Sequence, residues 1–302
     1  MVPAKTTKCK TLKVGTIIVT ALLAALVALD ACLVYDYFTG SEEPLELANV
    51  PELDVIPDPE IPKIDFQPII DSWAASVGGN KSVIIYDLDR DEMVGTYNPD
   101  EYYNTASLYK LFVVYEGYRR VESGAWNPDE IVGGANYTIS KCLDLAIRES
   151  YSPCAERLLA MIGRDELNRI IAEDYDIHAT DITKYSSTPS DILKIMKMFY
   201  EHSDIKNQTL IDAMKDSFLV QPPTTYNWRQ GLPSGFKVGN VYNKVGWDFN
   251  PDKKVWNIYH DAAIVEFPEL DRRFIVVVMS NFVPFQRIRD FGAQIEQTIL
   301  NS

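Results

Sequence analysis

Apolar side chains recur along the chain with two different periods, and each period predicts a different kind of element. A spacing of three or four residues predicts a helix with one buried face, whereas alternation and short β-branched runs predict strands. The predicted strands are Ser82 to Asp87, Met93 to Tyr97, Val241 to Val245, Ala262 to Phe267 and Phe274 to Met279. The predicted helices are Pro68 to Ser76, Ser107 to Val121, Ser140 to Arg148, Ser152 to Ile162, Arg164 to Glu173, Pro189 to His202 and Phe285 to Leu300.

The order of these elements predicts the fold class. Two strands come first, a long helical region follows, and three strands with a closing helix end the chain. Because strands and helices are grouped in separate runs, we expect an α+β domain. Its antiparallel sheet would be built from both ends of the domain, with helices on its faces.

A longer apolar run, from Val14 to Tyr35, lies ahead of this domain and contains Asp30 as its one charged residue. A helix of about 20 apolar residues spans the hydrocarbon core of a bilayer. Lysines precede the run and acidic residues follow it, which favours a cytoplasmic N-terminus. The sequence therefore predicts a basic cytoplasmic segment (1–13) and a transmembrane anchor (14–35). The protein would lie in the cell membrane, with the lipid bilayer as a partner. Its domain would be extracytoplasmic.

Two other interpretations of this segment stay open. The basic start and the apolar run also suit a cleaved signal peptide, although no clean A-x-A cleavage site follows. The segment from Leu29 to Cys32 loosely resembles a lipoprotein box, which would put a lipid on Cys32. All three interpretations place the domain outside the cytoplasm.

Residues 36–67 are predicted to be a linker, and residues 68–302 the domain. Prolines alternate with acidic residues in the linker, at positions 44, 51, 57, 59 and 62. Proline blocks helix formation and like charges push the chain open. We therefore expect an extended, semi-rigid spacer.

The charge and the metal-binding residue types disfavour several kinds of function. A formal net charge of −14 disfavours nucleic-acid binding, because phosphates need a surface rich in lysine and arginine. There is no CxxC pair and the histidines are scattered, so neither a metal site nor a cofactor is predicted. Cys142 and Cys154 could form a disulfide or remain two buried thiols, and the sequence leaves both possibilities open.

Ser107 and Lys110 are the pair of residues with the clearest chemical meaning. A predicted helix begins at Ser107, and positions i and i+3 share a helix face, so the amine can approach the hydroxyl. Serine is a poor nucleophile without an adjacent base, and lysine acts as that base only when its surroundings keep it neutral. Two further S-x-x-K matches, at 203–206 and 234–237, lie in polar loop sequence.

Two more motifs follow in an order that is typical of one family. The sequence Ser150-Tyr151-Ser152 joins two predicted helices, and Lys244-Val245-Gly246 lies on a strand that precedes the strand HDAAIV (260–265). Together with S-x-x-K, this order resembles the S-x-N and K-T/S-G motifs of the class A β-lactamase and penicillin-binding serine peptidase superfamily. The resemblance covers residues 68–302. It implies a β-lactamase/transpeptidase-like fold with a five-stranded antiparallel sheet and an all-helical subdomain.

The resemblance also implies a role for each matching residue. Ser107 would be the nucleophile and Lys110 its proton acceptor, Ser150 would relay a proton to the leaving nitrogen, and Lys244 would supply positive charge. The backbone N–H groups of Ser107 and Trp247 would form the oxyanion hole. The residues implied to bind substrate are Ser152, Val245 and Gly246, and the implied partner is a small β-lactam or a peptidoglycan-type peptide.

Three departures from the family pattern affect this interpretation. Ser152 stands where the motif has an amide, and Val245 has no hydroxyl for a substrate carboxylate. Class A enzymes activate the deacylating water with a glutamate in a long Ω loop, but the segment 177–187 contains no glutamate. Asp181 is the nearest acid there, and we expect it to be a turn residue.

These departures predict slow deacylation of an acyl-enzyme that forms readily, because the acylating residues are present and a base for water is not evident. The alternative is a degenerate module that binds cell-wall peptide without turnover. An α/β-hydrolase is disfavoured because the chain has no G-x-S-x-G motif. We expect His260 to be a strand-edge residue rather than a base.

Overall fold

A five-stranded antiparallel sheet organises the fold in this computed structural model, which describes residues 61–201, 229–250 and 255–302. The elements are numbered in chain order. The strands are β1 (Asn80–Asp87), β2 (Glu92–Tyr97), β3 (Tyr103–Asn104), β4 (Ser186–Ser187), β5 (Asn240–Asn250), β6 (Val255–Phe267) and β7 (Arg272–Asn281). The strand order in the large sheet is β2-β1-β7-β6-β5, and β3 and β4 form a separate small sheet. The predicted sheet built from both ends of the domain is confirmed.

Helices cover both faces of the large sheet. They are α1 (Gln67–Ser76), α2 (Tyr109–Glu122), α3 (Ile139–Arg148), α4 (Ser152–Ile162), α5 (Arg164–Glu173), α6 (Pro189–Glu201), α7 (Leu232–Gly235) and α8 (Phe285–Leu300). Short 3₁₀ turns, Ala106–Leu108 and Pro268–Leu270, precede α2 and β7. Helices α2 to α6 pack on one face and α1, α7 and α8 on the other, which gives two separate apolar cores.

The two cores follow from the alternation of side chains along each strand. In β1, Ile84 packs with the helical region, whereas Val83 and Ile85 pack with α1 and α8. Because the sheet is buried on both sides, its inner strands are apolar at nearly every position. The run Phe274–Met279 in β7 is the clearest case, since all of it is buried.

Helix α2 is the central helix of the helical region. Its residues from Tyr109 to Tyr118 are all buried, including Lys110. A helix that is buried on every side lies inside the protein rather than on its surface. The turn that carries Ser107 is therefore fixed to a rigid, enclosed element.

The hairpin of β5 and β6 extends further than the sequence predicted. The predicted strands covered 241–245 and 262–267, whereas β5 ends at Asn250 and β6 begins at Val255. Polar residues such as Lys244 and His260 interrupt the apolar signal, although both are buried. Apolar periodicity alone therefore cuts these strands short.

The folded domain also begins earlier than the predicted boundary at residue 68. Ile64 and Phe66 are buried in the core beneath α1, and the Phe66 ring meets Phe274 edge-to-face at 5.6 Å. Two apolar residues are too few to show a period, so the sequence assigned them to the linker. The predicted anchor (14–35) and the linker up to residue 60 lie outside the described residues. Within the described ranges, no helix has the length and apolar character needed to cross a membrane.

Cys142 of α3 and Cys154 of α4 form a disulfide, which resolves the choice that the sequence left open. Both side chains are fully buried, and their Cα atoms are 4.9 Å apart. The bond ties together the two helices that flank Ser150.

Candidate active site

Ser107 lies in the short 3₁₀ turn that leads into α2. The preceding residue, Ala106, has a φ of 43°, in the left-handed region. Such a conformation costs on the order of 1–3 kcal/mol in a non-glycine residue and persists where the surroundings impose it. Here the Thr105 N–H donates to the Tyr185 carbonyl (2.8 Å) and the Ala106 N–H donates to Asn104 Oδ1 (2.9 Å). These bonds hold the half-buried Ser107 at a sharp bend.

The Lys110 amine is enclosed by four oxygen atoms. Its Nζ lies 3.2 Å from Ser107 Oγ, 3.0 Å from Ser152 Oγ, 2.5 Å from the Ser150 carbonyl and 3.3 Å from Ser150 Oγ. The side chain is 0% exposed. Four partners are one more than the three hydrogens of an ammonium group. A neutral amine instead has a lone pair that can accept the Ser107 proton.

The surroundings of Lys110 favour this neutral form. Burial lowers the pKa of Lys110 to about 7, and the opposing charge of Glu156 limits the decrease. An ordinary lysine is almost entirely protonated at neutral pH. A substantial fraction of Lys110 is therefore available as a base near pH 7.

Lys244 reaches the same group of atoms from β5. Its Nζ lies 2.8 Å from Ser150 Oγ and 2.7 Å from the Val245 carbonyl. Burial and the neighbouring Lys110 charge lower the pKa of Lys244 well below its usual value. The structure therefore places two lysines against one hydroxyl, that of Ser150.

Ser150 occupies the connection between α3 and α4, with a φ of 54°. Since amines lie 3.3 and 2.8 Å from its Oγ, both can donate to this oxygen. Its own O–H then points away from the lysines. This arrangement suits a group that passes a proton onward.

Ser152 is the first residue of α4 and directs its hydroxyl at Lys110. It stands where the family motif has an amide. The Ser152 Oγ thus lies at the position implied to bind substrate and also contacts the Lys110 amine.

Gly246 brings β5 close to the serine turn. A Cβ atom at this position would lie 2.8 Å from the Thr105 carbonyl oxygen and 3.1 Å from Leu108 Cγ. Only glycine permits such a close backbone approach without movement. The family resemblance implies that Gly246 binds substrate. The structure shows that the absence of a side chain at Gly246 also allows β5 to approach the serine turn.

Val245 and Trp247 point their side chains to the opposite face of the sheet. Val245 is 2% exposed and lies in the core with Val241, and the Trp247 ring packs near Phe285 at 5.8 Å. Alternate strand residues face opposite sides, so Lys244 and Gly246 take the side of Ser107. The Val245 side chain is therefore packed in the core rather than presented to a substrate.

The expectation that His260 is a strand-edge residue is wrong. It is fully buried in β6, which lies between β5 and β7. Its Nδ1 accepts from the Ser280 N–H (3.0 Å), so its Nε2–H donates to the Asn104 carbonyl (2.8 Å). Burial lowers the pKa of His260 to about 4, which keeps the ring neutral. His260 therefore supports the turn from behind and does not act as a base.

Asp181 is a turn residue, as expected. Its Oδ1 accepts from the backbone N–H groups of Thr183 (2.9 Å) and Lys184 (3.2 Å). The segment 177–187 thus uses its one acidic side chain to hold its own backbone.

Two polar groups near the site escaped the sequence analysis. Asp261 is buried on β6, where it accepts from Asn243 Nδ2 (2.8 Å) and the Leu232 N–H (2.7 Å), and burial raises its pKa to about 7. Glu156 lies on α4 beside Tyr109 (2.5 Å). The spacing of four residues between Ser152 and Glu156 was a signal that could have indicated a shared helix face.

Solved structures of similar fold support the same architecture. An ancestral class A β-lactamase (GNCA, the last common ancestor of Gram-negative bacteria) has a TM-score of 0.66 at 15% identity, covering 78% of this chain and 98% of that chain. A β-lactamase from Xanthomonas campestris pv. campestris has a TM-score of 0.67 at 12% identity, covering 77% and 97%. A protein named PBP-A has a TM-score of 0.65 at 16% identity, covering 80% and 99%. At these identities the likeness shows the fold.

The family is shown by the sequence itself. No curated protein matches the chain. The model of the Beta-lactamase enzyme family matches residues 65–302, which include the three motifs and begin near the first buried residues of the domain. The chain therefore belongs to the Beta-lactamase enzyme family.

Proposed function

We propose that this protein is a serine acyl-transfer enzyme that forms an acyl-enzyme at Ser107 with a β-lactam or a D-Ala-D-Ala-like amide. One observation carries the proposal: a fully buried Lys110 amine lies 3.2 Å from Ser107 Oγ, and Lys110 and Lys244 meet at Ser150. Purely structural lysines do not need a shared hydroxyl and a strained serine turn. The family supports serine hydrolase chemistry in general, and the substrate class is part of the proposal.

Acylation proceeds by three proton transfers. Neutral Lys110 takes the Ser107 proton as Oγ attacks the carbonyl carbon, so a C–O bond forms and Lys110 becomes an ammonium. The C–N bond then breaks, and the leaving nitrogen takes the Ser150 proton. Lys110 returns a proton to Ser150 over 3.3 Å, which restores both residues.

Two further groups stabilise this reaction. Lys244 donates a hydrogen bond to Ser150 Oγ and leaves the Ser150 O–H free to reach the leaving nitrogen. The backbone N–H groups of Ser107 and Trp247 bind the oxyanion, and one such donor is worth about 3 kcal/mol of barrier. Gly246 keeps β5 close enough to the turn for both donors to serve one carbonyl.

Deacylation is slow in this proposal. The hydrolytic step needs a base that activates water, and the segment 177–187 supplies no glutamate. The acid in that segment, Asp181, is engaged by backbone N–H groups. With β-lactams we therefore expect an acyl-enzyme that accumulates.

Intact-mass measurement after incubation with a penicillin tests the proposal. Ring opening expels no leaving group, so the adduct should carry the whole mass of the penicillin. Ser107→Ala should remove the adduct. Ser234→Ala, in the exposed S-x-x-K match at 234–237, should keep it.

The other outcomes discriminate between functions. If no adduct forms and a chromogenic cephalosporin is not hydrolysed, the degenerate module that binds cell-wall peptide is the better description. Rapid hydrolysis without an adduct would refute slow deacylation while leaving Ser107 as the nucleophile.

We also propose that residues 14–35 anchor the protein in the cell membrane with the domain outside the cytoplasm. The apolar run, the lysines before it and the acids after it support this arrangement. Washed membranes should retain the full chain and release a variant that lacks residues 1–35. Protease added to intact spheroplasts should degrade the domain. Protection of the domain would refute the orientation, and loss of membrane retention in Cys32→Ser would indicate a lipid anchor instead.

A further inference from the structure

A cluster of four side chains, which we call the Glu156 cluster, lies beside the serine site. It consists of Tyr109, Glu156, Arg164 and Tyr185. Glu156 Oε1 accepts from the hydroxyls of Tyr109 (2.5 Å) and Tyr185 (2.9 Å), and Arg164 donates to Glu156 Oε2 (2.9 Å) and to the Tyr185 hydroxyl (2.5 Å). The two tyrosine rings meet edge-to-face at 4.9 Å. The cluster therefore joins α2, α4, α5 and the segment that leads to β4.

The Glu156 cluster touches the serine site at three points. Lys110 Nζ lies 5.9 Å from the centre of the Tyr109 ring. Ser152, which contacts the same amine, lies one helical turn before Glu156 on α4. The Tyr185 carbonyl accepts the Thr105 N–H at the serine turn. Glu156 thus connects the elements on both sides of Ser107.

We propose that Glu156 is a positioning residue for the serine site, which fixes Tyr109 and Tyr185 around the turn and holds a negative charge one helical turn from the Ser152 hydroxyl that contacts Lys110. This inference rests on the proposed function for its catalytic meaning, but its effect on Lys110 is measurable without a substrate. The carboxylate that acts on Lys110 would therefore come from α4 and not from the segment 177–187.

The hydrogen bonds of Glu156 favour a fixed charge over a general base. Two tyrosine hydroxyls occupy Oε1, and Arg164 engages Oε2. A general base needs a lone pair directed at a water beside the reacting carbon. A carboxylate with both oxygens engaged instead keeps its charge at a constant position.

The charges that act at Lys110 come from several elements. Glu156 on α4 raises the pKa of Lys110 against the effect of burial. Lys244 on β5 shares the Ser150 hydroxyl with Lys110, and the Lys110 charge lowers the pKa of Lys244. Arg164 on α5 pairs with Glu156 and offsets part of its charge. Loss of Glu156 and loss of Arg164 should therefore shift the titration of Lys110 in opposite directions.

The test is the titration of Lys110 in the full-length protein in detergent, followed by NMR of ¹³Cε-labelled lysine, with the signal assigned from its absence in Lys110→Met. We expect Glu156→Gln to lower the titration midpoint by about one pH unit and Arg164→Gln to raise it. Glu166→Gln is the control, because it removes a similar carboxylate–arginine pair, Glu166 with Arg169 at 2.8 Å, on the protein surface. It should leave the Lys110 midpoint unchanged. The pH midpoint of penicillin acylation should move together with the NMR midpoint.

Several results would overturn the inference. The first is a Lys110 titration midpoint in Glu156→Gln that equals the midpoint in Glu166→Gln. The second is a Lys110 midpoint that moves in the same direction in Arg164→Gln as in Glu156→Gln. An unchanged acylation profile with a longer-lived acyl-enzyme in Glu156→Gln would identify Glu156 as a general base instead. If Glu156→Gln fails to fold, the upward shift in Arg164→Gln carries the test. Opposite NMR shifts without any acylation would support the effect on Lys110 and refute the proposed function.

Discussion

Lys110 is a fully buried amine whose partners are hydroxyls and a carbonyl rather than carboxylates. A buried ammonium without an adjacent counter-ion is costly, so the neutral amine gains population. The residue is thereby suited to accept a proton, which an exposed lysine at neutral pH is not.

The acylation rate should depend on pH through the protonation of Lys110. The pKa of Lys110 is lowered to about 7, so the residue is protonated below that pH and neutral above it. Since the neutral form is the base, the acylation rate should fall about tenfold per pH unit below about 7 and level off above. Stopped-flow measurement with a fluorescent penicillin gives this profile. A midpoint near that of an ordinary lysine would contradict the proposed role.

The Ser150 hydroxyl should act as the proton relay of the acylation step. Ser150→Ala removes the hydroxyl shared by Lys110 and Lys244, so acylation should slow by roughly 10²–10⁴-fold while the fold is retained. Ser140→Ala changes an exposed serine on the adjacent helix and serves as the control. Equal acylation rates in the two variants would exclude a relay through Ser150.

The residues of the serine site were predictable from the sequence, whereas the Glu156 cluster beside them was not. The spacing of Ser107 and Lys110 fixes their relation within one turn of helix, and the structure brings Ser150, Ser152 and Lys244 to the same amine. The partners of Glu156 come from three other elements, and no local period shows which of those elements meet.

At the scale of elements, α3 and α4 act as one unit because a disulfide joins them on either side of Ser150. We expect the double substitution Cys142→Ala and Cys154→Ala to lower the free energy of unfolding by roughly 2–4 kcal/mol. Acylation should also slow, because Ser150 is held less firmly. Urea unfolding and intact-mass kinetics measure the two effects. An unchanged urea midpoint would mean that packing alone holds the helices.

The approach of β5 to the serine turn gives another prediction. Gly246→Ala places a Cβ 2.8 Å from the Thr105 carbonyl oxygen, so the strand or the turn must move. A displacement of this size should reduce the acylation rate by about 10²-fold with a smaller effect on the melting temperature. Gly133→Ala is a matched control, since nothing lies within 4 Å of its added Cβ. Full activity in Gly246→Ala would show that the close approach is not needed.

The kinds and order of elements were predictable because apolar periods are strong in most of them. The lengths of β5 and β6 were not, and neither was the burial of His260 within β6. Polar residues that are buried by contacts between strands look exposed in a linear sequence. Such residues lie where the sheet meets the site, so the errors of prediction concentrate there.

At the scale of the whole molecule, residues from both ends of the domain meet along β1 and β7. Asp87 and Arg272 form a buried ion pair at 2.6 Å, and Arg272 also donates to the Pro62 carbonyl (3.1 Å). Ile64 and Phe66 pack in the core under α1. The first residues of the domain therefore contribute to its folding stability, although they do not contact the serine site.

A pair of fragments tests this boundary. A fragment that begins at residue 61 should unfold in one transition, and one that begins at residue 68 should be less stable. Loss of a buried aromatic side chain alone typically costs about 3–5 kcal/mol, and Phe66 is 0% exposed. Urea unfolding followed by tryptophan fluorescence makes the comparison. Equal midpoints would place Ile64 and Phe66 outside the cooperative unit.

The meeting of Lys110 and Lys244 at a single hydroxyl has a consequence for every mutational study of this site. The charge of Lys110 lowers the pKa of Lys244, so the protonation of one amine changes the titration of the other. Removing either lysine changes the basicity of the survivor, and the effects of single substitutions will not add. Only a double-mutant cycle measured across pH can divide the catalytic contribution between them.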